Sequence, residues 1–233
     1  MSMREALDIS AYFVIGPENT KGGDVAALIQ DVAAAGFTCI QLRSKTASAR
    51  ELIDLSAKAA GALAHIGKAD TVALLINDRL DVALAARKRG IKVDGVHVGQ
   101  SDIPVDICRE YLGRDAVVGV SARVHELMEY INSADVGDID YFGVGPLRET
   151  ATKPDCGLDV DGRIITRSIE EIRRIAEQSP VPVVVGGGVT LDDIPDLAKT
   201  GVGGFFVVSA IAHADDPKAA ALQFAESWKQ HAV

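Results

Sequence analysis

From residue 140 to residue 153 the chain reads Asp-Tyr-Phe-Gly-Val-Gly-Pro-Leu-Arg-Glu-Thr-Ala-Thr-Lys. A short apolar run passes through Gly143, Gly145 and Pro146 and ends at Thr150, Thr152 and Lys153. Two hydroxyls at alternate positions beside one ammonium group suit phosphate oxygens, which accept charge-assisted hydrogen bonds. The glycines let backbone approach a bulky ligand, and the proline stiffens the exit. Read alone, the same stretch is also a glycine-rich turn with a polar tip.

Other stretches carry matching chemistry. In Gln41-Leu42-Arg43-Ser44-Lys45 the polar side chains alternate, so extended backbone would point Gln41, Arg43 and Lys45 to one side. Arg43 offers a planar fork for phosphate oxygens and Lys45 a compact charge. Asn77-Asp78-Arg79 and His97-Val98-Gly99-Gln100-Ser101-Asp102 supply two carboxylates, Asp78 and Asp102. One or two carboxylates with ligand phosphates and waters form the usual magnesium arrangement, whereas either aspartate by itself reads as a helix cap. His97 reads as a packed or hydrogen-bonded strand-end residue, because magnesium prefers oxygen. Ser121 either donates to phosphate or caps the next helix. Gly186-Gly187-Gly188 and Val208-Ser209 expose backbone N–H groups of the kind that hold a monophosphate in barrel enzymes, with a tight turn as the plain alternative.

These residues need elements to place them. Short apolar runs at 11–16, 37–42, 72–76, 95–98, 116–120, 139–143, 181–185 and 203–208 read as strands buried on both faces. Helical spacing follows each one, at 24–35, 47–65, 80–89, 104–112, 124–131, 168–178, 191–199 and 217–229. Strand-helix pairs repeated in this way predict an α/β chain folded as a (β/α)8 TIM barrel, a single domain spanning about 11–230. The alternative, an open doubly wound sheet, lacks the Gly-x-Gly-x-x-Gly turn after its first strand. The barrel further requires polar residues to gather just after strand C-termini, and the stretches above fall there.

Composition narrows the chemistry. The 233 residues carry a net charge of −9 with no basic block, which disfavours general nucleic-acid binding and leaves any anion to a local cluster. Cys39, Cys108 and Cys156 are scattered without metal-ligand spacing, as in a reducing compartment. The first residues have no apolar core of an export signal and no run reaches membrane-spanning length, so a cytoplasmic protein is expected. No serine or cysteine nucleophile stands beside a base, and no lone strand lysine suggests a Schiff base. Two anion sites emerge: one basic and metal-assisted, from strands two to four with Lys153, and one built from backbone after strands seven and eight. That pairing favours displacement of a magnesium-bound diphosphate.

In these motifs, taken in order with Gly119-Val120-Ser121, Gly143-Val144-Gly145-Pro146 and Thr150-Ala151-Thr152-Lys153, the chain resembles the thiamine-phosphate synthase family from about residue 12 to the last helix. The resemblance implies a transferase of thiamine biosynthesis. It would join 4-amino-2-methyl-5-(diphosphooxymethyl)pyrimidine to a (carboxy)thiazole phosphate, giving thiamine monophosphate and diphosphate. By that resemblance Gln41, Leu42, Arg43, Ser44, Lys45, Asn77, Ser121 and Lys153 bind the pyrimidine diphosphate, and Arg43, Lys45, Ser121 and Lys153 act on the leaving group. Asp78 and Asp102 hold Mg2+; Thr150, Ala151, Thr152, Gly187, Gly188, Val208 and Ser209 hold the thiazole phosphate. Its partners are small molecules, with neither nucleic acid nor membrane, and a homo-oligomer is left open. The family often places an aromatic and a proline where this chain has Arg148 and Glu149, and an apolar residue where it has Gly186, which is expected to loosen the loop. A thiazole tautomerase would need neither the paired aspartates nor Arg43 with Lys45. A sensor of thiamine phosphates would be expected to lose a metal ligand.

Overall fold

The computed structural model describes residues 2–121, 136–149 and 165–232. Eight parallel strands close on one another in sequence order: β1 Ala11–Ile15, β2 Cys39–Leu42, β3 Ala73–Asn77, β4 Gly95–Val98, β5 Val117–Ser121, β6 Tyr141–Val144, β7 Val183–Val185 and β8 Gly204–Val207. Closure is made by β1 against β8, with Tyr12 level with Phe206. The open doubly wound sheet is thereby excluded. Because the strands are parallel, every strand C-terminus opens on the same end of the barrel.

Strand alternation divides the core into two layers. Tyr12, Val14, Cys39, Leu75, Val117, Tyr141 and Val184 face inward and pack together. Ala11, Phe13, Ile15, Ile40, Leu42, Leu74, Ile76 and Phe142 face outward against the helices. The outer layer includes an aromatic run in which Phe37 and Phe205 pack edge to face at 5.8 Å, and Phe205 meets Phe224 and Trp228 of the helix Pro217–His231. Burial of these two layers, one on each side of the sheet, is the main stabilising term.

Helix starts follow local chemistry. Ser48 and Glu51 form a reciprocal capping box for Ala49–His65, as Ser168 and Glu171 do for Ile169–Gln178. Asp24 and Asp216 cap Val25–Ala34 and Pro217–His231. Leu80–Lys88 and Val105–Leu112 complete the longer helices among the described residues. The helix expected over 124–131 lies outside the described residues.

Two expectations need correction. The continuous helix expected at 191–199 is a 3-10 turn, Leu191–Asp193, followed by a single turn, Ile194–Leu197. Asp193 turns back to accept from the Thr190 N–H and hydroxyl, each at 2.8 Å, and Pro195 suits only a first helical turn. After β8 a four-residue helix, Ser209–Ala212, intervenes where the sequence pattern showed none.

The N-terminal end of the barrel is pinned by Asp140. Its carboxylate takes the Arg4 Nε at 2.6 Å, the buried Arg109 Nη2 at 2.8 Å and the Val118 amide at 2.7 Å. The stretch that opens with Asp140 therefore starts with a structural anchor and crosses the barrel before its polar residues begin.

Candidate active site

Gln41, Leu42, Arg43, Ser44, Lys45, Asn77, Asp78, Asp102, Ser121, Gly187, Gly188, Val208 and Ser209 all lie at or just beyond strand C-termini, on one barrel end. Thr150, Ala151, Thr152 and Lys153 lie outside the described residues.

The acidic pair sits at the ends of β3 and β4. Lys45 Nζ donates to Asp78 Oδ2 at 2.8 Å, and Asp102 Oδ2 accepts from the Gly99 amide at 2.8 Å. Neither aspartate caps a helix: the residues before the helices Leu80–Lys88 and Val105–Leu112 are Arg79 and Pro104, and neither makes a side-chain cap. Asp78 holds a left-handed backbone with φ of 60°, uncommon for a residue with a side chain. Burial pushes its carboxyl up most strongly of any single cause, but Lys45, the hydrogen bond with Asp102 and His97 together hold it below the ordinary value. Asp102 is pushed up, first by burial and then by Asp78 beside it, against the pull of the Gly99 amide. Two carboxylates facing one lysine leave an excess of negative charge, and this oxygen-only donor set is chemically suited to a hard divalent cation. Among the described residues no group of three or more His, Cys, Asp or Glu is placed to hold a metal ion. Such a cation would therefore need ligand or water oxygens to complete its shell.

Within β2 the alternation holds, with Gln41 reaching inward to Tyr12 and Leu42 facing outward. β2 ends at Leu42, whose side chain is buried in the outer layer, so only its backbone faces the site. Beyond it the chain is folded by Glu18, a residue the sequence motifs did not reveal. Glu18 Oε1 accepts from Ser44 Oγ at 2.5 Å, the Lys45 amide at 3.0 Å and Thr46 Oγ1 at 2.9 Å. Burial alone would raise the Glu18 carboxyl; the converging donors outweigh it and bring it down to about 2. Glu18 thus presents Lys45 to Asp78, while the Ser44 hydroxyl is engaged within the loop.

A hydrogen-bonded series runs through the barrel below these groups. Gln41 Nε2 donates to the Tyr12 hydroxyl at 2.5 Å, and the Tyr12 and Tyr141 hydroxyls are 2.8 Å apart. Tyr141 lies 2.8 Å from His97 Nδ1, and His97 Nε2 lies 2.7 Å from Ser121 Oγ. His97 is accordingly a buried, hydrogen-bonded strand residue, as its sequence context implies. The tyrosines sit on inward-facing strand positions where a phenol needs a polar partner, which was the one sign of them in the sequence.

The glycine-rich loop after β7 is shaped by its neighbours. A Cβ on Gly186 would fall 2.2 Å from the Phe206 ring, so Phe206 of β8 occupies the space an apolar side chain would fill. The expectation that Gly186 loosens the loop is corrected by that ring. Gly187 and Gly188 have φ of 81° and 75°, and a Cβ on either would meet Pro146 or Arg148 at 2.6 and 2.8 Å. Arg148 ties the two loops together. Its guanidinium donates to both Asp193 oxygens, at 2.5 and 2.6 Å, and to the Gly188 carbonyl at 3.1 Å. The Leu147 and Arg148 amides add bonds of 2.9 Å each to the Gly187 carbonyl. The unusual Arg148 is thus a clasp between the β6 and β7 loops.

A sequence model described as "Thiamine monophosphate synthase" matches residues 11–211. A thiamine-phosphate synthase of Corynebacterium efficiens is 40% identical over 219 residues, covering 92% of this chain and 93% of that one. The protein of the same name from Natronomonas pharaonis is 34% identical, covering 94% and 95%. Among solved structures, a thiamine phosphate pyrophosphorylase from Pyrococcus furiosus superposes with a TM-score of 0.76 at 27% identity, covering 98% of each chain. A 3-hexulose-6-phosphate synthase, at 18% identity and a TM-score of 0.63, covers 93% of this chain and 99% of its own, and shares the fold alone.

Proposed function

The chain belongs to the thiamine monophosphate synthase family, an enzyme family, and from that premise we propose that it condenses a pyrimidine diphosphate with a thiazole phosphate. The substrates are 4-amino-2-methyl-5-(diphosphooxymethyl)pyrimidine and a (carboxy)thiazole phosphate; the products are thiamine monophosphate and diphosphate, with carbon dioxide lost as well when the thiazole carries its carboxyl. The observation that carries this reading is the Lys45, Asp78 and Asp102 cluster, which shares a barrel end with the glycine loop of β7 and Ser209. One set of groups suits a metal-bound diphosphate and the other a monophosphate.

Asp78 and Asp102 would hold Mg2+, which when bound neutralises charge on the departing diphosphate. Arg43, Lys45 and Lys153 add positive charge to the same leaving group, and Ser121 and Asn77 donate hydrogen bonds to it. Gln41, whose Nε2 is committed to Tyr12, keeps its carbonyl oxygen to accept from the pyrimidine amine. The Gly187 and Gly188 amides, Val208, Ser209 and the threonines at 150 and 152 with Ala151 position the thiazole phosphate. The carbon–oxygen bond to diphosphate breaks as the electron-rich aminopyrimidine stabilises the resulting cation, and the thiazole nitrogen supplies the pair for the new carbon–nitrogen bond. No side-chain nucleophile is required, so the protein's work is positioning and charge stabilisation.

The test is to mix purified protein with both substrates and Mg2+ and to look for thiamine monophosphate. A protein that binds both ligands and forms no product is not a synthase. Retention of both aspartates and of Lys45 disfavours the tautomerase, which needs no diphosphate site, and the sensor, which would be expected to lose a metal ligand. We place the enzyme in the cytoplasm, in keeping with its family's soluble substrates; among the described residues no helix is long and apolar enough to cross a membrane.

A further inference from the structure

The series Gln41, Tyr12, Tyr141, His97 and Ser121 draws on β2, β1, β6, β4 and β5, so it crosses the barrel lumen instead of following one sheet edge. It is deeply buried, with Tyr12 at 1% and Tyr141 at 0% exposure. Two glycines clear its path. A Cβ on Gly119 would lie 2.1 Å from the Tyr141 ring, and one on Gly143 would lie 3.0 Å from His97 Cε1. Neither glycine has the positive φ that would otherwise call for one, so space for the series is what each provides.

Proton counting gives the series a direction. An amide nitrogen only donates, so the Tyr12 oxygen accepts from Gln41 and its single proton is free to pass on. The Cys39 thiol also reaches the Tyr12 hydroxyl; sulfur is the weaker acceptor, so we assign that proton to the Tyr141 oxygen. On that assignment Tyr141 donates to His97 Nδ1, and the neutral imidazole carries its proton on Nε2, facing Ser121.

We infer that Gln41, Tyr12, Tyr141 and His97 form a polarised relay that holds His97 in the Nε2–H tautomer, so that Ser121 accepts from His97 and turns its own proton toward the substrate's diphosphate. His97 and Tyr141 are positioning residues; Ser121 makes the contact. The role of Ser121 rests on the synthase reading above, whereas the tautomer does not. Low surrounding polarity makes each bond in such a series reinforce the next, and removing one link should disorder the far end.

The test is nitrogen-15 NMR of histidine-labelled protein without ligands, with the His97 signals identified by their loss in His97→Gln. The wild type should show a protonated Nε2 and an unprotonated Nδ1 for this ring. Tyr141→Phe, a change the apolar lumen should accommodate, should remove that preference. In turnover it should lower kcat about tenfold, on the scale of one oriented hydrogen bond, with the KM for thiazole phosphate little changed. His97→Gln, which can place an amide donor near the former Nε2, should retain more activity than His97→Phe. An Nδ1–H tautomer in the wild type, or an unaltered tautomer and kcat in Tyr141→Phe, overturns the relay. Absence of wild-type turnover would instead count against the synthase reading, and the spectrum would still decide the relay.

Discussion

Lys45 Nζ lies 2.8 Å from Asp78 Oδ2, joining the loop after β2 to the end of β3. The contact sets a cation beside one carboxylate of the acidic pair and helps, with Asp102 and His97, to hold it below its ordinary value against burial. Asp78→Ala removes both the lysine's anchor and one of the two carboxylates proposed to hold Mg2+. It should lower kcat at least about a hundredfold, since metal-assisted charge stabilisation amounts to several kcal/mol. Calorimetry should show weaker binding of the pyrimidine diphosphate with thiazole phosphate binding largely kept. Equal weakening of both would contradict the two-site assignment.

Arg148 and Asp193 bridge the β6 and β7 loops through two short contacts. Arg148→Ala should raise the KM for thiazole phosphate a few-fold, roughly the effect of 1 kcal/mol of loop ordering, and leave the pyrimidine diphosphate KM nearly unchanged. The double variant with Asp193→Ala should cost little more than Asp193→Ala alone, because the Arg148 bond to Asp193 is already lost there, along with the Thr190 bonds that Asp193 also accepts. Strict additivity in steady-state kinetics would mean that the two residues act separately.

At Gly186 an added methyl would enter the Phe206 ring. Gly186→Ala should therefore destabilise the fold by about 1–3 kcal/mol in denaturant unfolding, the usual range for overpacking. Phe206→Leu in the same chain should recover part of the loss. If Gly186→Ala is as stable as the wild type, the ring does not fill that space.

Glu18 is held near pH 2 against its ordinary 4.5 by donors from residues 44–46. A depressed carboxyl contributes stability that is full above its unfolded value and fades as pH falls through its folded one. Glu18→Gln should thus be less stable than the wild type at neutral pH, with the gap closing between about pH 4.5 and pH 2. Thermal unfolding across that range measures it, and a gap independent of pH would remove the ionised Glu18 from the account.

The barrel was legible because its strands and helices are local patterns: apolar runs such as Leu74–Leu75–Ile76 and helical spacing such as Leu52, Ser56 and Ala59 need no distant partner to be read. Strand-end positions of Asp78, Asp102 and Ser121 followed from the same periodicity. Glu18, Tyr12 and Arg148 did not, because each acts on residues at least 26 positions away, and only closure of the barrel brings them together. Gly186 misled for a related reason, since its missing side chain is supplied by Phe206 from the next strand. The break at 191–199 turned on Pro195 and the turn-back of Asp193, both visible as letters but decided by local competition between a turn and a helix.

The central claim is that one barrel end joins two phosphorylated substrates. Its most direct measurement follows diphosphate and thiamine monophosphate together, in the presence of Mg2+, with each substrate withheld in turn. The account predicts that both products appear in equal amounts and that thiamine monophosphate forms only when both substrates are present. Diphosphate released without thiamine monophosphate in the complete mixture, or no reaction with both ligands bound, would contradict it.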